Sequence, residues 1–369
     1  MSTMPRTLVR GLLALTAFML PLSGCDKAPP KETEKPPQSP VHDVSNSPVW
    51  TTPVTGKRYC PLYSEKHKVL LDSGADDVTM RDAVTGQTKW VYRESKISCP
   101  LPAEDAVYVS AYGGKIIALD WSTGKEKATY FSPVIGNPRN SPEVTSSGVH
   151  AEIGGKILTA DRTLGHDLWK YEETADMWID DIEASGDTLV LSTHNGKVKA
   201  LSGKDGKILW TYTTPSFGLL EGNMAIEEGV VYIASKDGSV YALDLATGKN
   251  LWATKLDDGT AWSPQLTGSM LITADKSHIH GIDKKTGKKL WKKHDVTHQR
   301  ILAIAGQAIF ASGTPTEGWV QAHDAATGEI DWIFSGKLDR SFLAASPTHV
   351  YVRTDNEIQA YELTTKTAH

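Results

Sequence analysis

Only three cysteines occur in 369 residues, and no two of them are adjacent. That leaves too few thiolates for a cysteine-rich zinc site. No stretch sustains the 3.6-residue apolar period of an amphipathic helix, which removes helical architectures from consideration. Neither sign of charge dominates: the formal net charge is −5, with both signs mixed along the chain. A surface of that kind argues against nucleic acid as the main partner. The one long apolar run, Gly11 to Leu22, is too short to span a bilayer.

What the chain does have is a repeat, returning about every forty residues. Its clearest copy is Tyr241-Ala242-Leu243-Asp244-Leu245-Ala246-Thr247-Gly248-Lys249-Asn250-Leu251-Trp252. Related copies end at Trp90, Trp169, Trp210, Trp291 and Trp332, whereas Ala128 holds the Trp slot of the second unit. The Asp slot holds Asp82, Asp120, Asp161, Ser202, Asp244, Asp283 and Asp324. Val230 to Ser235 is β-branched and aromatic, as strands are. Asp237-Gly238 and Thr247-Gly248 then supply turns that need glycine geometry. Each unit therefore reads as a four-stranded antiparallel sheet, one blade of a propeller. A slot filled alike in most units is architecture, so Asp, Gly and Trp are read as structural, with Trp packing between neighbouring sheets.

The Asp register continues to Glu362, which gives eight units, and the last lacks its Trp because the chain stops at His369. Trp50 stands forty residues before Trp90 with no unit in front of it. The expectation is an all-β, eight-bladed β-propeller of four-stranded antiparallel blades over residues 49–365. Its last blade would be closed by the N-terminal strand around Trp50, which hides a sheet edge that would otherwise template aggregation.

Arg6 and Arg10 precede the apolar run, the layout of a cleaved secretory signal over residues 1–24. Leu22-Ser23-Gly24-Cys25 resembles the bacterial lipobox, which implies acylation of Cys25 and anchoring in a lipid bilayer. Residues 25–48, rich in proline with Lys, Glu and Ser, read as a semi-extended tether. The address is then the extracytoplasmic side of a bacterial envelope. That means the periplasmic face of the outer membrane or, on the strength of Asp26, the outer face of the inner membrane. Cys60 and Cys99 occupy matching slots in the first two units, each followed by Pro-Leu. Export favours a disulfide between them, and free thiols are the alternative if their Cα atoms lie more than about 7 Å apart.

Function belongs in what varies between units. The links that emerge near the channel mouth carry Arg139, Asp180, Asp181, Glu221, Trp262, Arg300, Arg340 and Phe342. Aromatic and Arg side chains are the usual material of binding hot spots, although the same charges would also serve merely to solvate a funnel. Glu172 to Trp178 forms a second candidate, acidic and ending in an aromatic. His278 and His280 share one face of a strand, but no third ligand can be named, so no metal site is expected.

The Ala-Leu-Asp-x-x-Thr-Gly-x-x-x-Trp units resemble the pyrroloquinoline quinone (PQQ)-like propeller repeat from about Trp50 to Leu363. One branch of that family is catalytic, the quinoprotein dehydrogenases. The resemblance implies for them a vicinal Cys-Cys pair, a calcium set, a catalytic Asp and long insertions between blades. None of these is found in the present chain. The other branch is the BamB-type outer-membrane assembly lipoproteins, similar to this chain in plan: lipobox, tether and compact blades. The resemblance implies a non-catalytic scaffold without a cofactor, binding an envelope protein, possible partners including the β-barrel assembly machinery. The alternative is a PQQ- and calcium-dependent dehydrogenase.

Overall fold

The computed structural model describes residues 42–45, 47–54, 60–173, 178–215, 219–259, 261–294, 300–305, 308–312, 319–335, 342–354 and 356–365. Among these there is no helix. The signal segment, Cys25 and most of the tether lie outside them.

Seven sheets have four antiparallel strands each, spanning 62–93, 101–131, 143–172, 179–213, 219–255, 262–294 and 300–335. In the first six of them the middle strands are largely buried on both faces, as in Val107–Ala111 and Val149–Ile153. The outermost strands alternate, as Asn250–Lys255 does. That gradient is the signature of sheets stacked face to face around an axis.

The expectation of eight four-stranded blades is corrected here, because seven sheets answer that description. The remaining sheet has five strands and is assembled from both chain ends. Phe342–Ala345, His349–Arg353 and Glu357–Thr365 form its C-terminal part. Glu357–Thr365 is nine residues long, so two N-terminal strands share its free edge rather than one. Trp50–Pro53 pairs with it from Trp50↔Ala360 to Pro53↔Glu357. His42–Val44 pairs with its far end, from His42↔Thr365 to Val44↔Leu363.

One contact joins sheet to sheet. Six repeat Trp indoles pack on the turn glycine of the following sheet and donate Nε1–H to a carbonyl in that turn. The acceptors of Trp50, Trp90, Trp169, Trp210, Trp252 and Trp291 are the carbonyls of Ala83, Trp121, Gly203, Leu245, Lys284 and Ala325, at 2.7–3.3 Å. Gly248 shows why the slot is glycine. Its φ is +69°, and a Cβ there would sit 2.6 Å from the Trp210 ring. The same turns are tied by the repeat carboxylates, which accept the N–H of Thr85, Thr123, Thr247, Thr286 and Thr327 at 2.7–2.9 Å. Trp332 lies on a strand opposite Ala322.

The second sheet breaks this pattern and the third repairs it. With Ala128 in place of Trp, the facing turn carries Leu164 at φ 59°, only 4% exposed and packed in a cluster that includes Ala128. A leucine held at positive φ costs conformational energy, which its burial offsets.

The five-stranded sheet meets the first four-stranded one through Trp50 and a buried ion pair. Arg353 Nε donates to Asp72 Oδ1 at 3.1 Å, with the Arg353 side chain fully buried. Burial pushes the Asp72 carboxyl up despite the attraction of Arg353.

Candidate functional site

Antiparallel strands alternate in direction, so each sheet puts its turns at two ends. The Thr-Gly turns lie at one end. At the other lie the links between sheets and the hairpins between second and third strands. This second end, the mouth face, is where the units differ.

Arg139 and Trp178 come together on it. Arg139 is exposed on the link into the third sheet, and its guanidinium lies 3.8 Å above the Trp178 ring. Trp178 is itself 56% exposed, so the pair is displayed to solvent. Such a stack contributes about 0.5–1 kcal/mol and presents a flat amphipathic surface. Two residues along, Asp180 is mostly buried beside His194, with Nδ1 to Oδ1 at 3.4 Å. Its carboxyl is pushed up by burial, against the pull of His194, Lys236 and Arg139. Asp180 Oδ2 has no hydrogen-bond partner among the described residues, and neither has the buried Asn140 Nδ2 next to Arg139. An acceptor and a donor are left for something else to satisfy.

A second cation–aromatic pair shares this face, Lys96 Nζ lying 4.4 Å from the centre of the Tyr112 ring. Phe131 and Ile135, on the link into the third sheet, are 64% and 83% exposed. Sequence reasoning missed Tyr112, Phe131 and Ile135. An aromatic directly before the Gly113-Gly114 hairpin was the available signal for the first.

The other expected mouth residues divide. Asp181 turns inward, accepting the N–H of Ile182 at 3.0 Å and of Met224 in the next sheet at 3.3 Å, so it joins sheets rather than facing a ligand. Trp262 is half-buried at the start of its strand, and its carbonyl accepts the Thr273 hydroxyl at 2.5 Å. Glu221, Arg300 and Phe342 lie on strands but their own side chains fall outside the described residues, and Arg340 lies outside them entirely. In the acidic segment, Glu172 pairs with Lys156 at 3.1 Å and Glu173 pairs with Lys199. Both Glu172 and Trp178 reach the surface.

Cys60 and Cys99 are joined by a disulfide, with Cα atoms 5.6 Å apart, linking the entries to the first and second sheets. Further in, Glu143 accepts the Ala184 N–H at 3.1 Å, which brings its carboxyl alongside Glu183. Burial and the Glu183 charge raise Glu143 well above the carboxylate range, and burial raises Glu183 to about 7. His278 and His280 are not a surface pair: the His280 side chain is fully buried and that of His278 is 18% exposed.

Sheets of this plan, joined through a repeated Asp-Thr-Gly turn and a Trp, define a PQQ-like β-propeller. A family model described as outer membrane protein assembly factor BamB matches residues 41–130, 95–218 and 216–314, and the chain belongs to that family. It is 23% identical over 248 residues to the outer membrane protein assembly factor BamB of Shewanella oneidensis, covering 61% of each chain. It is 28% identical over 156 residues to the dehydrogenase subunit of the alcohol dehydrogenase (quinone) of Gluconobacter oxydans, covering 35% of this chain and 21% of that one. The chain thus spans less than two thirds of either relative. The crystal structure of BamB from Moraxella catarrhalis superposes with a TM-score of 0.66 at 16% identity, over 87% of this chain and all of that one. At that identity the likeness speaks for the fold.

Proposed function

We propose that this protein is a non-catalytic, lipid-anchored scaffold of the bacterial envelope that binds another envelope protein, with a role in β-barrel outer-membrane protein assembly. One observation carries the reading. On the turn face, the repeated Asp, Thr and Trp groups are matched within the protein, whereas the mouth face displays the Arg139–Trp178 stack beside an unpartnered carboxylate oxygen. An exposed aromatic and an Arg with unmet polar groups beside them form a binding hot spot rather than a reaction centre. Family membership supports the class of partner, the β-barrel assembly machinery. The lipobox-like Leu22 to Cys25 supports an acyl anchor and an extracytoplasmic address. The mouth surface is assigned to Arg139, Trp178 and Asp180, with Glu221, Trp262, Arg300, Arg340 and Phe342 as its further arc.

Purification of the anchored chain from detergent-solubilised membranes is expected to bring down assembly-machinery subunits in stoichiometric amount. Recovery of the chain alone would contradict the proposal.

The Gluconobacter likeness favours a second reading, a quinone-dependent dehydrogenase. The three cysteines include no adjacent pair, which the resemblance requires of that branch. Calorimetric titration with PQQ and calcium separates the two readings: the scaffold predicts no saturable heat, and a stoichiometric isotherm would favour the enzyme.

A further inference from the structure

The sixth sheet departs from its neighbours at one hairpin on the mouth face. In the fifth sheet, three positions before the repeat Asp, Tyr241 donates its hydroxyl to Asp237 of the hairpin at 2.6 Å. The sixth sheet has His280 in that slot, and Asp275 receives its ring. His280 Nε2 lies 2.8 Å from Asp275 Oδ2, and His278 Nδ1 lies 3.3 Å from Oδ1. The three side chains each offer a donor atom within 4.8 Å of the others. Asp275 and His280 are fully buried at the side chain.

Two further observations point to a ligand rather than a packing coincidence. His294 stands directly across the strand pair from His278, their rings 5.2 Å apart, so a further imidazole adjoins the cluster. Asp275 is also fixed in place by the N–H groups of Ser277, His278, Asp257 and Asp258 at 2.8–3.2 Å. Rigid support of this kind is how proteins orient metal ligands. The nearby cations Lys289 and Lys292 are both held by Asp257, at 2.5 and 2.7 Å.

We propose that Asp275, His278 and His280 form a binding site for a divalent transition-metal ion of the zinc class, with His294 or a water completing four-coordination. Two imidazoles and one carboxylate suit zinc, cobalt or nickel, whereas calcium and magnesium want oxygen ligands. The ion binds His278 Nδ1, His280 Nε2 and one Asp275 oxygen. Each neutral ring moves its proton to its other nitrogen, so no proton is released and the site goes from −1 to +1. On His280 the receiving atom is Nδ1, which has no acceptor among the described residues, a cost that the bond to the ion must offset. The bound ion clamps the 275–277 hairpin to the 257–258 link, beside Trp262.

The test uses the full chain without a histidine tag, stripped by chelator and titrated with Co2+, then Zn2+. One equivalent of Co2+ is expected to give saturable visible d–d absorption that Zn2+ abolishes, and Zn2+ to raise the Tm by at least about 3 °C. His278→Gln, at a partly buried position, should weaken binding at least tenfold, as should His280→Gln if it folds. His166→Gln, an exposed imidazole elsewhere, should leave the titration unchanged. Absence of saturable Co2+ binding, or wild-type affinity in His278→Gln, would overturn the site.

Discussion

The two ends of the sheets follow opposite rules. At the turn end, the same Asp, Thr, Gly and preceding Trp meet in the same geometry at junction after junction. At the mouth end the links differ, apart from the Cys-Pro-Leu shared by the first two, and beside the exposed Arg139–Trp178 stack the buried Asp180 Oδ2 and Asn140 Nδ2 lack partners among the described residues. Even the carboxyls divide this way. The turn carboxyls are held charged: hydroxyl and N–H donors from Ser122 and Thr123 bring Asp120 to about 2, and Asp161, despite some desolvation, is brought to about 2 by His166, Gly165 and Thr163. At the mouth, the Asp180 carboxyl is pushed up by burial, and so are Glu143 and Glu183 within the strands. Repetition marks where the chain satisfies itself, and irregularity marks where something else completes it.

The largest effect in breaking this contrast should come from Trp210→Ala. It removes a buried indole and the bond to the Leu245 carbonyl, and should cost about 3–5 kcal/mol in denaturant unfolding. Gly248→Ala attacks the same contact from the other side. Positive φ and the collision with the ring together should cost about 2–4 kcal/mol by the same measurement. Leu164→Ala tests the repaired junction, where about 2 kcal/mol of loss is expected even though alanine is no worse at positive φ.

The pH dependence is a subtler probe. Glu183 has a folded-state pKa above its ordinary 4.5, so its contribution is fully present below pH 4.5 and is lost as pH rises through about 7. Glu183→Gln should flatten the stability profile between those values. The depressed turn carboxyls have the opposite sign. Their contribution is present above the ordinary Asp value of 3.8 and disappears as pH falls through about 2. Thermal melts across pH 2–8 read both arms.

Most of the fold was legible because a repeat states its own rules. The strands, turns and Trp slots of the seven four-stranded sheets follow from periodicity, and Trp50 announced its role by spacing. The fifth strand of the last sheet was not legible, since nothing about His42–Val44 distinguishes it from tether. The site was read less well, for a physical reason. Arg139 and Trp178 were each visible as candidates, but their stacking depends on how two links fold over a shared surface, which no local pattern encodes. Asp181 and Asp180 look alike in sequence, yet strand alternation sends one into the sheet junction and the other toward the mouth. Asp275 escaped notice as a third partner of His278 and His280 because a tight hairpin, rather than strand periodicity, brings it to them.

The most direct test compares Arg139→Ala/Trp178→Ala with Gly248→Ala in the full chain, measuring both the denaturation midpoint and the recovery of the proposed assembly-machinery partner from solubilised membranes. The double mouth variant should unfold within about 0.5 kcal/mol of the wild type yet lose its partner at least tenfold. The Gly248 variant should lose stability and, wherever it remains folded, keep its partner. A mouth variant that retains the partner in full would contradict the division of the molecule into a self-satisfied face and a binding face.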